Sequence, residues 1–127
     1  MTPATDLQTI FDHLKALMKP YETGTIKARV DEDKRYDLWS EKNVEIEGRK
    51  RKDVYFAGLV IQSKYVGFYY MPVYVETELK AFFKPELLKT LKGKSCFHIK
   101  NIDDKMLNQI ADALKKGFDL YQNRGWV

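Results

Sequence analysis

A chain of 127 residues, 44% hydrophobic and 31% charged, is long enough to bury one core, too short for two, and unlike a disordered segment in composition. Its net charge of +4 is mild, well short of the dense positive field of a dedicated nucleic-acid binder. The single cysteine, Cys96, excludes an internal disulfide framework and any zinc site built from several cysteines. The opening MTPATDLQ lacks the basic and then apolar profile of a signal peptide. No apolar run approaches the roughly 18–20 residues that cross a bilayer. The expectation is one cytoplasmic, soluble domain over residues 1–127.

In chain order, Leu7, Ile10, Phe11, Leu14, Leu17 and Met18 fall at helical spacing, which predicts an amphipathic helix over residues 6–19. Thr5 and Gln8 have the form of a capping box, and Pro20 marks the exit. Thr25–Val30 alternates Ile26, Ala28 and Val30 against Lys27 and Arg29, the pattern of a half-buried strand. Arg35–Ser40 sets Tyr36 and Leu38 against Asp37 and Trp39, and Val44 and Ile46 alternate with Glu45 and Glu47, giving two short strands or one interrupted strand. Gly48–Lys52 reads as a basic turn.

Asp53–Tyr74 consists of two apolar, aromatic-rich runs around the polar tip Gln62-Ser63-Lys64, and it predicts a central β-hairpin. If residues 62 and 65 face each other, Val60 pairs with Gly67, Gly58 with Tyr69 and Phe56 with Met71 on one face. The other face pairs Ile61 with Val66, Leu59 with Phe68 and Ala57 with Tyr70. Ser-Lys is poor chemistry for the tightest turns, which favours the longer tip. With both faces apolar, the strands are covered on both sides, or covered on one and lining a cavity on the other.

Thr77–Leu91 reads as helical but split by Pro85, with Gly93 as its stop. In the strand Ser95–Lys100, Phe97 and Ile99 point one way and Cys96 and His98 the other. The strongest helix spans Asp104–Tyr121, with Asp103 as its cap and Ile102 and Leu107 placed for a hydrophobic staple. Gly117 inside it costs about 1 kcal/mol relative to Ala, so close packing is expected there. Gly125-Trp126-Val127 is an apolar end expected to dock on the body. The fold class is α+β: a largely antiparallel sheet built on the central hairpin, flanked by N-terminal and C-terminal helices.

Val54-Tyr55-Phe56-Ala57, followed by Tyr65-Val66-Gly67-Phe68 and Tyr70, is similar to the hairpin of the YdhG-like domains, a family of small bacterial proteins mostly of unknown function. Leu79-Lys80-Ala81-Phe82, the Lys92-Gly93-Lys94 turn with Phe97-His98-Ile99, and the closing helix extend the resemblance over residues 5–121. Its motifs are structural glycines and aromatics, which specify a fold more than a chemistry. Where many members carry a Gly-Met-Pro-containing stretch, this chain has Trp39-Ser40-Glu41-Lys42-Asn43, which implies a different ligand if that stretch serves the family's ligand. One branch of the family is described as a frataxin-like iron chaperone, so the resemblance implies that function as an alternative.

Each candidate site competes with a plainer role. Arg49, Lys50, Arg51 and Lys52 would suit phosphates or an acidic partner, but a hairpin tip is also where solvated charge belongs. Lys64–Tyr70 is similar to the RNA-reading strand of an RRM. However, Phe68 shares its face with Leu59, Ile61 and Val66, which is core, and the βαββαβ order is absent. Cys96 and His98 are too few for a metal site and point in parallel rather than at each other. Iron needs clustered oxygen ligands, whereas Asp31-Glu32-Asp33 is followed at once by Lys34-Arg35. No phosphate loop, nucleophile elbow or zinc-protease motif occurs.

What remains is the face carrying Gly58 and Gly67, since a strand glycine marks close approach by a backbone or ligand. The candidate ligand-binding set is Trp39, Tyr55, Gly58, Gly67, Tyr69 and Met71, with Tyr70 and Tyr74 as further possible lining. The expectation is a non-enzymatic domain, monomeric or homodimeric, without a cofactor. It would hold a small ligand or a protein partner in that cleft; the alternatives are an iron chaperone, and a weak nucleic-acid or acidic-partner binder through Arg49–Lys52.

Overall fold

The computed structural model describes residues 6–46 and 48–127, the side chains of Thr77 and Phe82 apart. Thr5, half of the expected capping box, lies outside the described residues. The observed cap is Asp6, whose carboxylate accepts from Thr9 N–H at 2.9 Å and starts α1, Leu7–Met18. One stripe of this helix, Ile10, Phe11, Leu14 and Met18, is fully buried. Burial of each such side chain contributes about 1.5–3 kcal/mol.

The sheet is organised by the central hairpin. Strands β5 (Val54–Ile61) and β6 (Val66–Tyr70) pair Ile61 with Val66, Leu59 with Phe68, and Ala57 with Tyr70. On the other face Val60 pairs with Gly67 and Gly58 with Tyr69, the register that alternation predicts. Gln62 N–H donates to Tyr65 C=O at 2.8 Å across the tip. β1 (Ile26–Asp31) and β2 (Arg35–Ser40) extend the sheet on one side. β7 (Leu91–Lys92) and β8 (Cys96–Ile99) extend it on the other, giving the antiparallel order β1-β2-β5-β6-β8-β7.

The expected pairing of Phe56 with Met71 does not form. In the β2–β5 register Leu38 faces Ala57 and Trp39 faces Tyr55, so Phe56 is an extra residue, a β-bulge. The bulge turns Phe56 onto the same face as Ala57. There it is fully buried, with its ring 5.7 Å from that of Tyr70 and 5.4 Å from that of Tyr121. Met71 leaves the sheet and opens α2, Met71–Val75, with Pro72 in its first turn.

Two further expectations change. The basic turn is in fact strand β4 (Arg49–Arg51), paired with β3 (Val44–Ile46) in a separate two-stranded sheet. The helical reading of Thr77–Leu91 resolves into a 3-10 turn, Thr77–Phe82, and a single helical turn α3, Pro85–Leu88. Leu91 then belongs to β7, and Gly93 serves the β7–β8 turn rather than ending a helix.

α4 (Asp104–Asn123) is the longest helix, and Asp103 caps it by accepting from Met106 N–H at 2.8 Å. At its end Gly125 takes the left-handed conformation, φ 74°, open to glycine at little cost. Trp126 N–H then reaches Tyr121 C=O at 2.9 Å, and Gly125 N–H reaches Gln122 C=O at 3.0 Å, the two bonds of a Schellman motif. This turn tucks Trp126 against the Tyr121 ring at 5.0 Å, and its carbonyl accepts from the buried Ser40 hydroxyl. The chain end docks as expected. α1 and α4 pack together on the face of Leu59, Phe68 and Tyr70, where the core lies. Among the described residues no helix is long and apolar enough to cross a membrane.

Candidate functional site: the open face of the sheet

Alternation along β2 carries Arg35, Asp37 and Trp39 to the face opposite the helices. On the same face β5 presents Tyr55, Gly58 and Val60, and β6 presents Gly67 and Tyr69. Tyr55 stays on this side because the bulge at Phe56 reverses the parity of β5 below Ala57. These side chains and Gln62 bound a depression of about 480 Å³, lined by strands and the hairpin tip with no helix contributing.

Its floor is a buried carboxylate. The Asp37 side chain is 8% exposed and accepts from Arg35 Nε and Nη2 at 2.9 Å each through the same oxygen, Oδ2. The Tyr55 hydroxyl donates to the other oxygen, Oδ1, at 3.4 Å. A Cβ on Gly58 would stand 1.9 Å from the Tyr55 hydroxyl oxygen and 2.4 Å from Asp37 Oδ1, so only glycine leaves room for this pair. The close approach at this strand glycine is made by side chains, Tyr55 and Asp37, and not by a backbone or a ligand as expected. Gly67 plays the same part more loosely, its would-be Cβ lying 3.0 Å from the Tyr69 ring.

The walls are aromatic. Trp39 lies 5.0 Å from Tyr55, and the Arg29 guanidinium sits 4.7 Å from the Trp39 ring while pairing with Asp53 at 3.0 Å. Burial, reinforced by the Asp37 carboxylate, pushes the Tyr55 phenol far above its ordinary range. Burial also raises Tyr69, with Cys96 beside it adding to the effect, and it raises the Cys96 thiol. His98 is held below its usual range, first by burial and then by Lys92 and Lys100, and its ring stacks on Tyr65 at 3.8 Å. At neutral pH these groups are therefore neutral donors and acceptors, and the thiol is not an activated nucleophile.

Of the expected ligand-binding set, the structure brings together Trp39, Tyr55, Gly58, Gly67 and Tyr69. Met71 is absent from this face; it lines a separate groove with Trp126. Tyr70 is solid core, its hydroxyl bonded to Ala113 C=O at 2.5 Å, and Tyr74 is exposed on α2. None of Arg49, Lys50, Arg51 or Lys52 lines the depression. Tyr69 does not share its face with Phe56 or Met71, as parity alone suggests, because of the bulge and of α2. Arg35 and Asp37 are the polar residues that sequence reasoning passed over. Their signal was present in β2, where positions 35, 37 and 39 share one face and so set a charge pair beside a tryptophan.

Among the described residues no group of three or more His, Cys, Asp or Glu is placed to hold a metal ion. Asp31, in the densest acidic run, is instead engaged by Lys15 and Lys19. No family model, no curated protein and no solved structure matches this chain.

Proposed function

We propose that this is a binding domain of the cytoplasm, YdhG-like in its hairpin, that holds a small, flat, polar-edged ligand on the open face of its sheet. It holds that ligand without transforming it. The observation that carries the reading is Asp37, a carboxylate kept under aromatic cover with Arg35 and Tyr55 already bonded to it.

Burying the Asp37 carboxylate beside a largely exposed arginine returns little net stability, because desolvation offsets the attraction. Asp37 serves the fold as the acceptor for the Tyr55 hydroxyl, and the exposed Arg35 beside it leaves the pair open to recognition. Small-molecule sites combine aromatic and apolar walls with a few convergent polar groups, and that is the make-up of this depression. The Arg35 side chain is 57% exposed, leaving donors free for a ligand edge, while Trp39 and Tyr69 line the depression beside it. Tyr55, Tyr69 and Cys96, all raised by burial, act near neutrality as neutral hydrogen-bonding groups, which supports a binding role.

The test is a two-dimensional amide NMR titration with adenine, guanine, nicotinamide and indole-3-acetate as probes. Shifts grouped on Asp37, Tyr55, Gly58 and Tyr69 are expected for at least one probe. Shifts scattered over the surface, or none at millimolar probe, would reject the reading.

A further inference from the structure

A second groove, of about 880 Å³, lies between the small β3–β4 sheet, α2 and the chain end, away from the aromatic face. Its apolar lining is formed by Ile46, Val54, Met71, Val75 and Trp126. Tyr74, 49% exposed, is the large hydrophobic residue most open to solvent among the described residues, and it stands at the rim. With this lining stand four cations from four separate segments: Arg51 of β4, Lys80, Lys94 and Arg124 at the end of α4. Among the described residues one acid, Glu45, lines the groove with them.

Part of that charge is already engaged. Arg124 pairs with Glu76 at 3.1 Å, and Arg51 lies 4.0 Å from Asp53. Lys80 and Lys94 make no ion pair among the described residues, and Lys94 instead lies 5.7 Å from the Tyr74 ring. β3 and β4 pair only with each other, so among the described residues each leaves one backbone edge without a strand partner. Charged side chains on such an edge discourage pairing with a copy of itself, and they favour a chain of opposite charge.

We propose that this groove docks an acidic, extended segment of a partner protein carrying one large apolar side chain. The cations meet the carboxylates, the apolar lining takes the apolar side chain, and the free strand edge supplies backbone hydrogen bonds. A nucleic acid fits less well. Trp126 is 6% exposed, with Arg124 over its ring at 5.0 Å and Tyr121 at its other contact, so it has no open face on which a base could stack. The basic run Arg49–Lys52 thereby finds a use through Arg51.

The experiment titrates the whole protein with an acetylated, amidated peptide of aspartate and glutamate with one central leucine, followed by amide and indole NMR. Shifts are expected at Val54, Val75 and the Trp126 indole, with the Trp39 indole unmoved. Affinity should fall about tenfold, equivalent to about 1.4 kcal/mol, in the surface variant Lys80→Glu/Lys94→Glu. It should also fall when the central leucine becomes serine. Equal binding of a lysine peptide, unchanged affinity in that variant, or tighter binding of oligothymidylate at the same residues would each overturn the proposal. The readout at Trp126 is independent of the ligand site at Trp39, so either can fail alone.

Discussion

The Tyr70 hydroxyl occupies the space in which a Cβ on Gly117 would stand: the two would lie 1.8 Å apart. The same hydroxyl donates to the carbonyls of Ala113 and Leu114, at 2.5 and 3.2 Å, which fixes α4 against the core face of β6. Helix propensity favours Ala over Gly by about 1 kcal/mol, yet overpacking a filled core costs about 1–3 kcal/mol. The clash is severe, so Gly117→Ala is expected to lower stability by up to about 2 kcal/mol, with Tm falling by several degrees. Introduced beside Tyr70→Phe, the same change should cost less. A thermal melt showing Gly117→Ala as stable as the parent would refute the contact.

Gly58 makes the corresponding test on the open face. Gly58→Ala must displace the Tyr55 hydroxyl and disturb Asp37, because its Cβ would stand 1.9 and 2.4 Å from them. The expected outcome is loss of the ring-current shifts that Trp39 and Tyr55 exert on each other, together with weaker probe binding. Gly24→Ala strains the backbone at φ 60° and should cost some stability, but with nothing within 4 Å of its Cβ it should leave both the ring-current shifts and probe binding unaltered.

The acid limb of stability offers a third test. Lys105, its Nζ 2.5 Å from Glu86, holds the Glu86 carboxyl down at about 2, from an ordinary 4.5. A folded value below the unfolded one means that the unfolded chain binds more protons between pH 4.5 and 2. Stability from this group is thus present above pH 4.5 and is lost as pH falls towards 2. Carboxyl NMR should place the Glu86 midpoint near 2. Urea melts of Glu86→Gln should differ from the parent at pH 6 and converge as the pH falls towards 2. A midpoint near 4.5 would contradict the pairing.

Gly125 terminates α4 with φ 74°, a conformation that strains any residue with a Cβ. Gly125→Ala should cost about 1 kcal/mol in chemical denaturation. It should also loosen Trp126, which indole fluorescence would report as a red shift. No change in either would show that the chain end does not depend on this turn.

Much of this fold was legible because its signals are local. The β5–β6 register follows from side-chain parity and the tip, and the cap of α4 follows from an acid placed beside an apolar run, whereas α1 is capped by Asp6 and not through the capping box read at Thr5 and Gln8. The bulge at Phe56 was not legible, since it is set by pairing with β2, a contact about twenty residues distant in the chain. Arg49–Arg51 read as a turn because all three side chains are exposed, so the strand has no apolar alternation to reveal it. Met71 read as strand because Val and Tyr continue past it, but Pro72 cannot donate to a ladder and starts α2 instead. The site was half visible: aromatics and glycines announced the face, while Arg35 and Asp37 looked like ordinary surface charge until burial of Asp37 set them apart.

The most direct measurement is the affinity of one planar probe for the parent, Asp37→Asn and Trp39→Ala, by isothermal titration calorimetry, with Lys80→Glu/Lys94→Glu as the control. A loss of about tenfold or more, about 1.4 kcal/mol, in the first two variants with the control unchanged is expected. Equal affinity in all four proteins would contradict a ligand site on the open face of the sheet.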